Sequence, residues 1–334
     1  RIAERWPRDH VVFMGLDSAI EKRMLAGLGF EFKKVRAAPV VGRRGLGLVR
    51  AVLKNLFAVF GAVRAIVEAK PDRVVGIGGY VSVPVVLAAW LLRIPRVIFE
   101  PDAAGGRANR FLARFANTVF VAFESAKERY PEHKTYVVGP LVRKEFLDLG
   151  RWSADAKRGW FVLLLLGGSQ GSHSLVKALA EALPHLVDLR DELFIFCQAR
   201  AEDRAFIEER MSDHGFSGEV QTFFEHIWSL YSCATLVVSR AGANAIFELC
   251  FARKPAILVP YPHALGHQEA NARQLVEIGA AEMIRDEDLS GKVLADRIRF
   301  YMRAPEVLQK MREAYGPPGF EDGAMKMAEI IRGR

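Results

Sequence analysis

The sequence predicts an α/β protein of two domains, each a parallel sheet doubly wound with helices. Three observations carry this. Short apolar runs alternate with helical stretches along the chain, the rhythm of parallel strands joined by crossover helices. Runs such as Phe161-Val-Leu-Leu-Leu-Leu166 are apolar at every position, as strands buried on both faces are. The rhythm pauses across 143–160, which is polar, charged and strandless, and 334 residues give length for two domains.

In chain order the predicted strands are 11–15, 73–76, 96–100, 118–122, 135–138, 161–166, 193–198, 218–223, 236–239, 256–260 and 281–284, with helical stretches between most of them. The domains are expected at 1–142 and 161–317, with 143–160 as linker. A C-terminal helix within 318–334, after the turn Gly316-Pro317-Pro318-Gly319, is expected to pack back on the first domain. Arg1 to Trp6 reads as the back half of a helix that runs straight into the first strand, so a strand and loop are expected ahead of Arg1. Ligands of such folds sit beyond the C-terminal ends of the strands, here facing the cleft between the domains.

Composition narrows the partners. The chain is 51% hydrophobic and 26% charged, a globular balance, with a net charge of +8 that favours anionic partners. Cys197, Cys233 and Cys250 lack metal-type spacing, and so sparse a count fits a reducing compartment. The apolar stretch Val81–Phe99 is broken by Pro84, Arg93 and Pro95, so the protein is expected to be soluble or peripheral.

Three motifs follow strands of the second half. Gly167-Gly168-Ser169-Gln170-Gly171-Ser172 joins a buried strand to a helix, a geometry that suits a phosphate or diphosphate. It is no P-loop, because Lys-Ser/Thr does not close it. A nicotinamide dinucleotide fits poorly, because the next strand ends Cys197-Gln198-Ala199-Arg200 with no acid for a ribose hydroxyl. Ser239-Arg240-Ala241-Gly242-Ala243-Asn244 opens another helix, where Gly242 allows close approach and Glu248, farther in, suits a vicinal diol; an isolated helix glutamate is as often a solvated face. Gln268 and Asn271, three apart after the strand 256–260, suit sugar hydroxyls. His263 and His267 flank a Pro/Gly loop without a carboxylate to complete a metal set, so no metal is expected.

The first half carries Gly76-Ile77-Gly78-Gly79-Tyr80-Val81-Ser82 and Phe99-Glu100-Pro101-Asp102, each at a strand end. Glu100 and Asp102 are candidate general bases, although Asp102 also suits a helix cap. From Leu48 onward a basic, apolar helix places Leu53, Phe57 and Phe60 at spacings of four and three beside Arg50 and Lys54. Such a helix suits an anionic bilayer surface, or equally an ordinary core.

Four ordered strings, Gly78-Gly79-Tyr80-Val81-Ser82, Gly167-Gly168-Ser169-Gln170-Gly171, Ser239-Arg240-Ala241-Gly242-Ala243 and His267-Gln268-Glu269-Ala270-Asn271-Ala272, resemble those of the MurG family of peptidoglycan N-acetylglucosaminyltransferases. The resemblance covers nearly the whole chain. It implies the GT-B fold of two Rossmann-like domains, and inverting transfer from UDP-N-acetylglucosamine to the muramyl 4-hydroxyl of lipid I to give lipid II. It further implies work at the cytoplasmic face of the anionic inner membrane, with no cofactor and no nucleic-acid partner. By position it assigns Ser169 to the diphosphate with Gln170 in the same loop, and Arg143 to the uracil and phosphate. Phe224 falls where a backbone group reads uracil, and Glu248 at the ribose diol. His267, Gln268 and Asn271 fall near diphosphate and sugar, and Gly78, Gly79, Tyr80 and Ser82 on the acceptor side.

Two strings depart from the family. Phe99-Glu100-Pro101-Asp102 stands for its usual His-Glu-Gln-Asn or His-Glu-Pro-Asn, and Gly139-Pro140-Leu141-Val142-Arg143 for Gly-Asn-Pro-Val-Arg. The family's opening Gly-Gly-Thr-Gly-Gly-His loop would precede Arg1, so the chain is expected to be a truncated form, with Asp102 and Glu100 as the bases in view. The alternatives are another GT-B enzyme, a glycolipid synthase or epimerase, or a truncated chain that binds UDP-sugar without turnover.

Overall fold

The computed structural model describes residues 6–7, 9–18, 21–22, 25–26, 28–39, 44–151, 159–168, 171–316 and 322–333. Contacts divide the chain into two units, one of Arg1–Pro140 with Asp322–Arg334 and one of Leu141–Glu321.

In the first unit β1 (Val12–Gly15) pairs in parallel with β2 (Glu31–Lys34). The long helix α1 (Gly45–Ala69) follows. A parallel four-stranded sheet then runs β3 (Val74–Gly76), β4 (Arg96–Glu100), β5 (Thr118–Val121), β6 (Thr135–Val137), in that order. Helices α2 (Gly79–Leu91), α3 (Arg107–Leu112) and α4 (Glu124–Lys127) connect the strands. Ala58, Ala62 and Ile66 of α1 pack into one core with Val74, Val85, Ala88 and Ala89, while Ile98, Val119, Val121 and Leu112 fill another.

The second unit is a parallel six-stranded sheet of β7 (Phe161–Leu166), β8 (Leu193–Gln198), β9 (Ser217–Gln221), β10 (Leu236–Ser239), β11 (Ala256–Leu258) and β12 (Ala281–Met283). Its spatial order is β12-β11-β10-β7-β8-β9, the doubly wound order that reverses direction between β7 and β10. Leu163, Leu164 and Leu165 of β7 are fully buried, as a central parallel strand requires. Helices α5 (His173–Ala182), α6 (Ala201–Asp213), α7 (Ile227–Cys233), α8 (Ala243–Ala252), α9 (His267–Glu277), α10 (Gly291–Arg303) and α11 (Pro305–Glu313) wind around it.

Helix α12 (Gly323–Gly333) returns to the first unit. A Cβ on Gly323 would lie 2.6–2.9 Å from the carbonyl oxygens of Pro140, Val138 and Gly139, an approach that only glycine permits. Farther along, Arg332 pairs with Asp9 and lies over the Trp6 ring at 4.9 Å.

Two expectations change. The stretch expected as a linker, 143–160, is built in part into the second unit. Residues Lys144–Arg151 form a 3-10 segment, and Phe146, 2% exposed, stacks edge-on against Tyr231 at 5.4 Å. One apolar anchor in a polar string is enough to dock it. The apolar stretch Val81–Phe99 is divided between α2 and β4. Among the described residues it is α1 that is long and apolar enough to cross a membrane by length and composition.

Candidate functional site

The strongest concentration of candidate residues lies at the C-terminal edge of the second sheet, where β11, β10 and β7 are neighbours. Each of these strands runs through a short turn into a helix: α5 after β7, α8 after β10, α9 after β11. In the first turn Gly167 carries the tightest contact, since a Cβ there would meet the Ser172 amide nitrogen at 2.3 Å. The turn closes with the Gly171 N–H donating to the Gly168 carbonyl at 3.0 Å. Ser169 and Gln170 lie outside the described residues. Helices α8 and α9 start at Gly242 and Gly266 with no side-chain cap, so their first-turn N–H groups and positive dipole ends face outward from one sheet edge. Such an edge suits an anion, above all a diphosphate.

Arg240 holds the edge together. It is 8% exposed, and its guanidinium reaches three other connections at once. Its Nε donates to Ser172 Oγ at 3.1 Å and Nη2 to Ser174 Oγ at 2.6 Å, both beyond β7. Nη1 donates to the Val259 carbonyl at 3.1 Å and lies 2.6 Å from Asp286 Oδ1 beyond β12. The Tyr261 ring sits 5.5 Å from the guanidinium carbon. The expected sugar ligands Gln268 and Asn271 share this work. Gln268 Oε1 accepts from the N–H groups of Ala241 (3.1 Å) and Tyr261 (2.9 Å), and Asn271 Nδ2 donates to the Ala241 carbonyl at 3.2 Å. Both faces of the Ala241 peptide are thus clamped from α9, and Asn271 is fully buried. His267 opens α9 with its Nδ1 buried and without a partner among the described residues.

Glu248 lies on α8, half-buried between the core residues Phe247 and Leu249. Burial pushes its carboxyl up to about 7, against the opposing pull of the Tyr231 hydroxyl and the Arg143 guanidinium. Arg143 itself is exposed, directly ahead of the 3-10 segment anchored by Phe146. Phe224, half-buried after β9, meets Phe196 edge-on at 6.2 Å.

In the first unit the candidates separate by role. Glu100 is 1% exposed at the end of β4. Its Oε1 accepts from the Asp102 N–H at 2.9 Å. Its Oε2 accepts from the Gly106 N–H (2.7 Å), Asn109 Nδ2 (3.0 Å) and the Tyr130 hydroxyl (2.6 Å). A carboxylate with both oxygens so engaged braces the loop after β4. Asp102 is half-buried in that loop. Gly78 and Gly79 take φ of +91° and +74° at the start of α2, a left-handed turn that demands glycine. The Ser82 hydroxyl donates back to the Gly78 carbonyl at 2.6 Å, and Tyr80 packs on the core beside it. On α1, Leu53, Phe57 and Phe60 are 50%, 73% and 72% exposed, with Arg50 and Lys54 exposed among them.

Known proteins agree with this architecture. The family model "Glycosyltransferase family 28 C-terminal domain" matches residues 162–328, and the N-terminal domain model of the same family matches 5–121. A curated UDP-N-acetylglucosamine–N-acetylmuramyl-(pentapeptide) pyrophosphoryl-undecaprenol N-acetylglucosamine transferase of Anaeromyxobacter dehalogenans (strain 2CP-C) is 39% identical, over 98% of this chain and 86% of its own. The chain belongs to glycosyltransferase family 28. The Myxococcus xanthus (strain DK1622) transferase of the same name is 37% identical over the same shares of the two chains. The crystal structure of Acinetobacter baumannii MurG covers 100% of this chain and 94% of its own at a TM-score of 0.76 and 28% identity. A putative UDP-N-acetylglucosamine 2-epimerase from Listeria monocytogenes, 13% identical at a TM-score of 0.70, shares the fold.

As a family 28 glycosyltransferase, the protein has to hold a sugar donor and stabilise charge on its leaving group, and the sheet edge offers the dipoles to do so. Sequence reading missed the residues that build this edge. Arg240 was read only as part of a string, because the partners of this buried arginine come from three other connections. Asp203 was missed likewise. It is 5% exposed, bonds His173 Nδ1 and Arg200 Nε at 2.7 Å each, and so ties the first residue of α5 to α6. Arg200 above all, with His173, holds its carboxyl below the usual range.

Proposed function

We propose that this glycosyltransferase moves N-acetylglucosamine from UDP-N-acetylglucosamine to the muramyl 4-hydroxyl of lipid I, with inversion, giving lipid II for peptidoglycan synthesis. One observation carries the reading: the strings that form the second sheet's donor edge stand in a chain 39% identical, over 98% of its length, to a transferase named for that reaction. The acceptor oxygen attacks C1, the bond from C1 to the diphosphate oxygen breaks, and UDP departs with the bonding pair. Negative charge grows on the diphosphate. The N-termini of α5, α8 and α9, the Gly167–Ser172 turn with Ser169 and Gln170, and Arg143 are positioned in sequence to receive it. Preorganised donors of this kind contribute about 3–4 kcal/mol each. Glu248 takes the ribose hydroxyls, the backbone at Phe224 reads uracil, and His267 with Gln268 serves the diphosphate and sugar. Gln268 keeps its Nε2 for this, since only Oε1 is engaged among the described residues. Asp102 is the candidate base, with Gly78, Gly79 and Tyr80 on the acceptor side.

A lipid-linked acceptor asks for a membrane-facing surface. Helix α1 supports one, because its alanines face the core while Leu53, Phe57 and Phe60 face out beside Arg50 and Lys54. The protein then works peripherally, at the cytoplasmic face of the inner membrane.

The test supplies UDP-[14C]N-acetylglucosamine with and without lipid I. Label in a lipid product only when lipid I is present is expected. Conversion of the donor without acceptor would favour an epimerase, and UDP binding with no turnover would favour a binding protein; either result overturns the reading.

A further inference from the structure

Tyr261 leaves 46% of its surface exposed on the loop from β11 into α9, at the donor edge of the second sheet. The residue is held rather than free. Pro260 and Pro262 flank it, and the proline that follows disfavours helical backbone at Tyr261. The Pro260–Tyr261 peptide is gripped at both ends. Its N–H donates to Gln268 Oε1 at 2.9 Å, and its carbonyl accepts from Arg240 Nη1 at 3.4 Å. The ring is gripped as well: the buried Arg240 guanidinium lies 5.5 Å from its centroid, a cation–π distance, and the His263 ring meets it edge-on at 5.4 Å. Exposed apolar surface is therefore presented ahead of α9 without the entropy loss of ordering a mobile side chain on binding.

We infer that Tyr261 is a specificity-determining residue for the donor: its ring is the apolar surface on which the sugar of the nucleotide-sugar packs, while Gln268 Nε2 takes a hydroxyl of the same sugar. The inference rests on the donor reading given above and deepens it. A pyranose of the gluco series has a rim of equatorial hydroxyls and two faces of axial C–H groups. The rim needs hydrogen bonds, which an amide supplies. The faces need a surface that does not hold water, and an aromatic ring supplies one, its negative π face matching the weakly positive C–H groups. The two contacts are tied together in the structure. Gln268 Oε1 accepts from the Tyr261 and Ala241 N–H groups, so the amide that would read the rim also fixes the residue that would meet the face. UDP, which ends at the diphosphate, has nothing to place on that ring.

The test measures binding of UDP and of UDP-N-acetylglucosamine by calorimetry, and steady-state transfer to lipid I, for wild type, Tyr261→Ala and Tyr261→Phe. In Tyr261→Ala the affinity for UDP-N-acetylglucosamine is expected to fall about threefold to tenfold, the weight of one aromatic contact, with UDP affinity unchanged. The KM for the donor should rise by the same factor at an unchanged kcat, because the ring holds ground state and transition state alike. Tyr261→Phe keeps the ring and should keep the wild-type values. An unchanged ratio of UDP-N-acetylglucosamine affinity to UDP affinity in Tyr261→Ala would overturn the inference. So would an equal loss in Tyr261→Phe, which would place the contact in the hydroxyl. A fall of UDP affinity and Tm together in Tyr261→Ala would make the ring a brace for Arg240, and the inference would fall with it. Wild-type protein that does not bind UDP at all would instead overturn the donor reading itself.

Discussion

Glu248, the proposed ribose ligand, illustrates how a binding carboxylate would trade stability for its role. Its carboxyl is raised from the ordinary 4.5 to about 7, so the folded chain takes up a proton more readily than the unfolded one. The stability it lends is complete below about 4.5 and is lost as pH rises through about 7. Glu248→Gln should therefore raise the Tm of the free protein by roughly 7–14 °C at about pH 8 and by far less at about pH 5, as scanning calorimetry would read. UDP binding should be lost in the same variant. A variant equally stabilised at both pH values would assign the effect to packing instead. The sequence marked the residue as a candidate diol ligand because it stands on a helix that opens with small residues. What the sequence hid was the price of its place, because Tyr231 and Arg143 belong to other stretches of chain. Gln268 and Asn271 were read as amides suited to sugar hydroxyls, and in the structure they clamp Ala241, since a string does not show which backbone groups its side chains will meet.

At the scale of elements, strands were the easiest part to read. Central parallel strands are apolar along their length, and β4, β7, β8 and β10 lie where the pattern puts them. Strand β2 escaped because Glu-Phe-Lys-Lys is short, charged and paired with β1 alone, where burial demands little. The 3-10 segment escaped because one phenylalanine does the docking. The donor edge depends on how its turns are tied, and Arg240 ties them. Lysine at that position keeps the charge, but a single ammonium cannot reach Ser172, Ser174, Val259 and Asp286 together. Arg240→Lys is expected to lower the stability of the second unit by about 2 kcal/mol in urea unfolding, through lost hydrogen bonds to buried groups. It should also raise the KM for UDP-N-acetylglucosamine severalfold, because the turns leading into α5, α8 and α9 would lose their common brace. Loss of stability with an unchanged KM would confine Arg240 to folding.

At the scale of the molecule, two units follow from chain length and strand rhythm, but the path of the last helix is decided by backbone contact. Gly323→Ala would set a Cβ against three carbonyl oxygens that cannot move aside. It should cost about 1–3 kcal/mol and speed hydrogen exchange in α12, while leaving UDP binding intact. The outward face of α1 carries the remaining question of how a protein with a +8 charge finds a lipid-linked acceptor. Ala51, Ala58 and Ala62 pack inward at 1–4% exposure, whereas Phe57 and Phe60 stand 73% and 72% exposed. That inversion of size is opposite to what a core helix wants and suits a surface that meets hydrocarbon. Burying each ring is worth about 1.5–3 kcal/mol, so Phe57→Ser with Phe60→Ser should weaken binding to anionic vesicles by at least about 100-fold. Arg50→Gln with Lys54→Gln should weaken it less, about 1 kcal/mol per charge at low salt, and hardly at all in neutral vesicles. Turnover of a water-soluble, short-chain acceptor should survive both changes, because the α1 surface meets the bilayer rather than the sugar. Vesicle sedimentation and a soluble-acceptor assay on the same preparations decide the matter: equal losses in both would place these side chains in folding or catalysis, and the membrane role of α1 would fall.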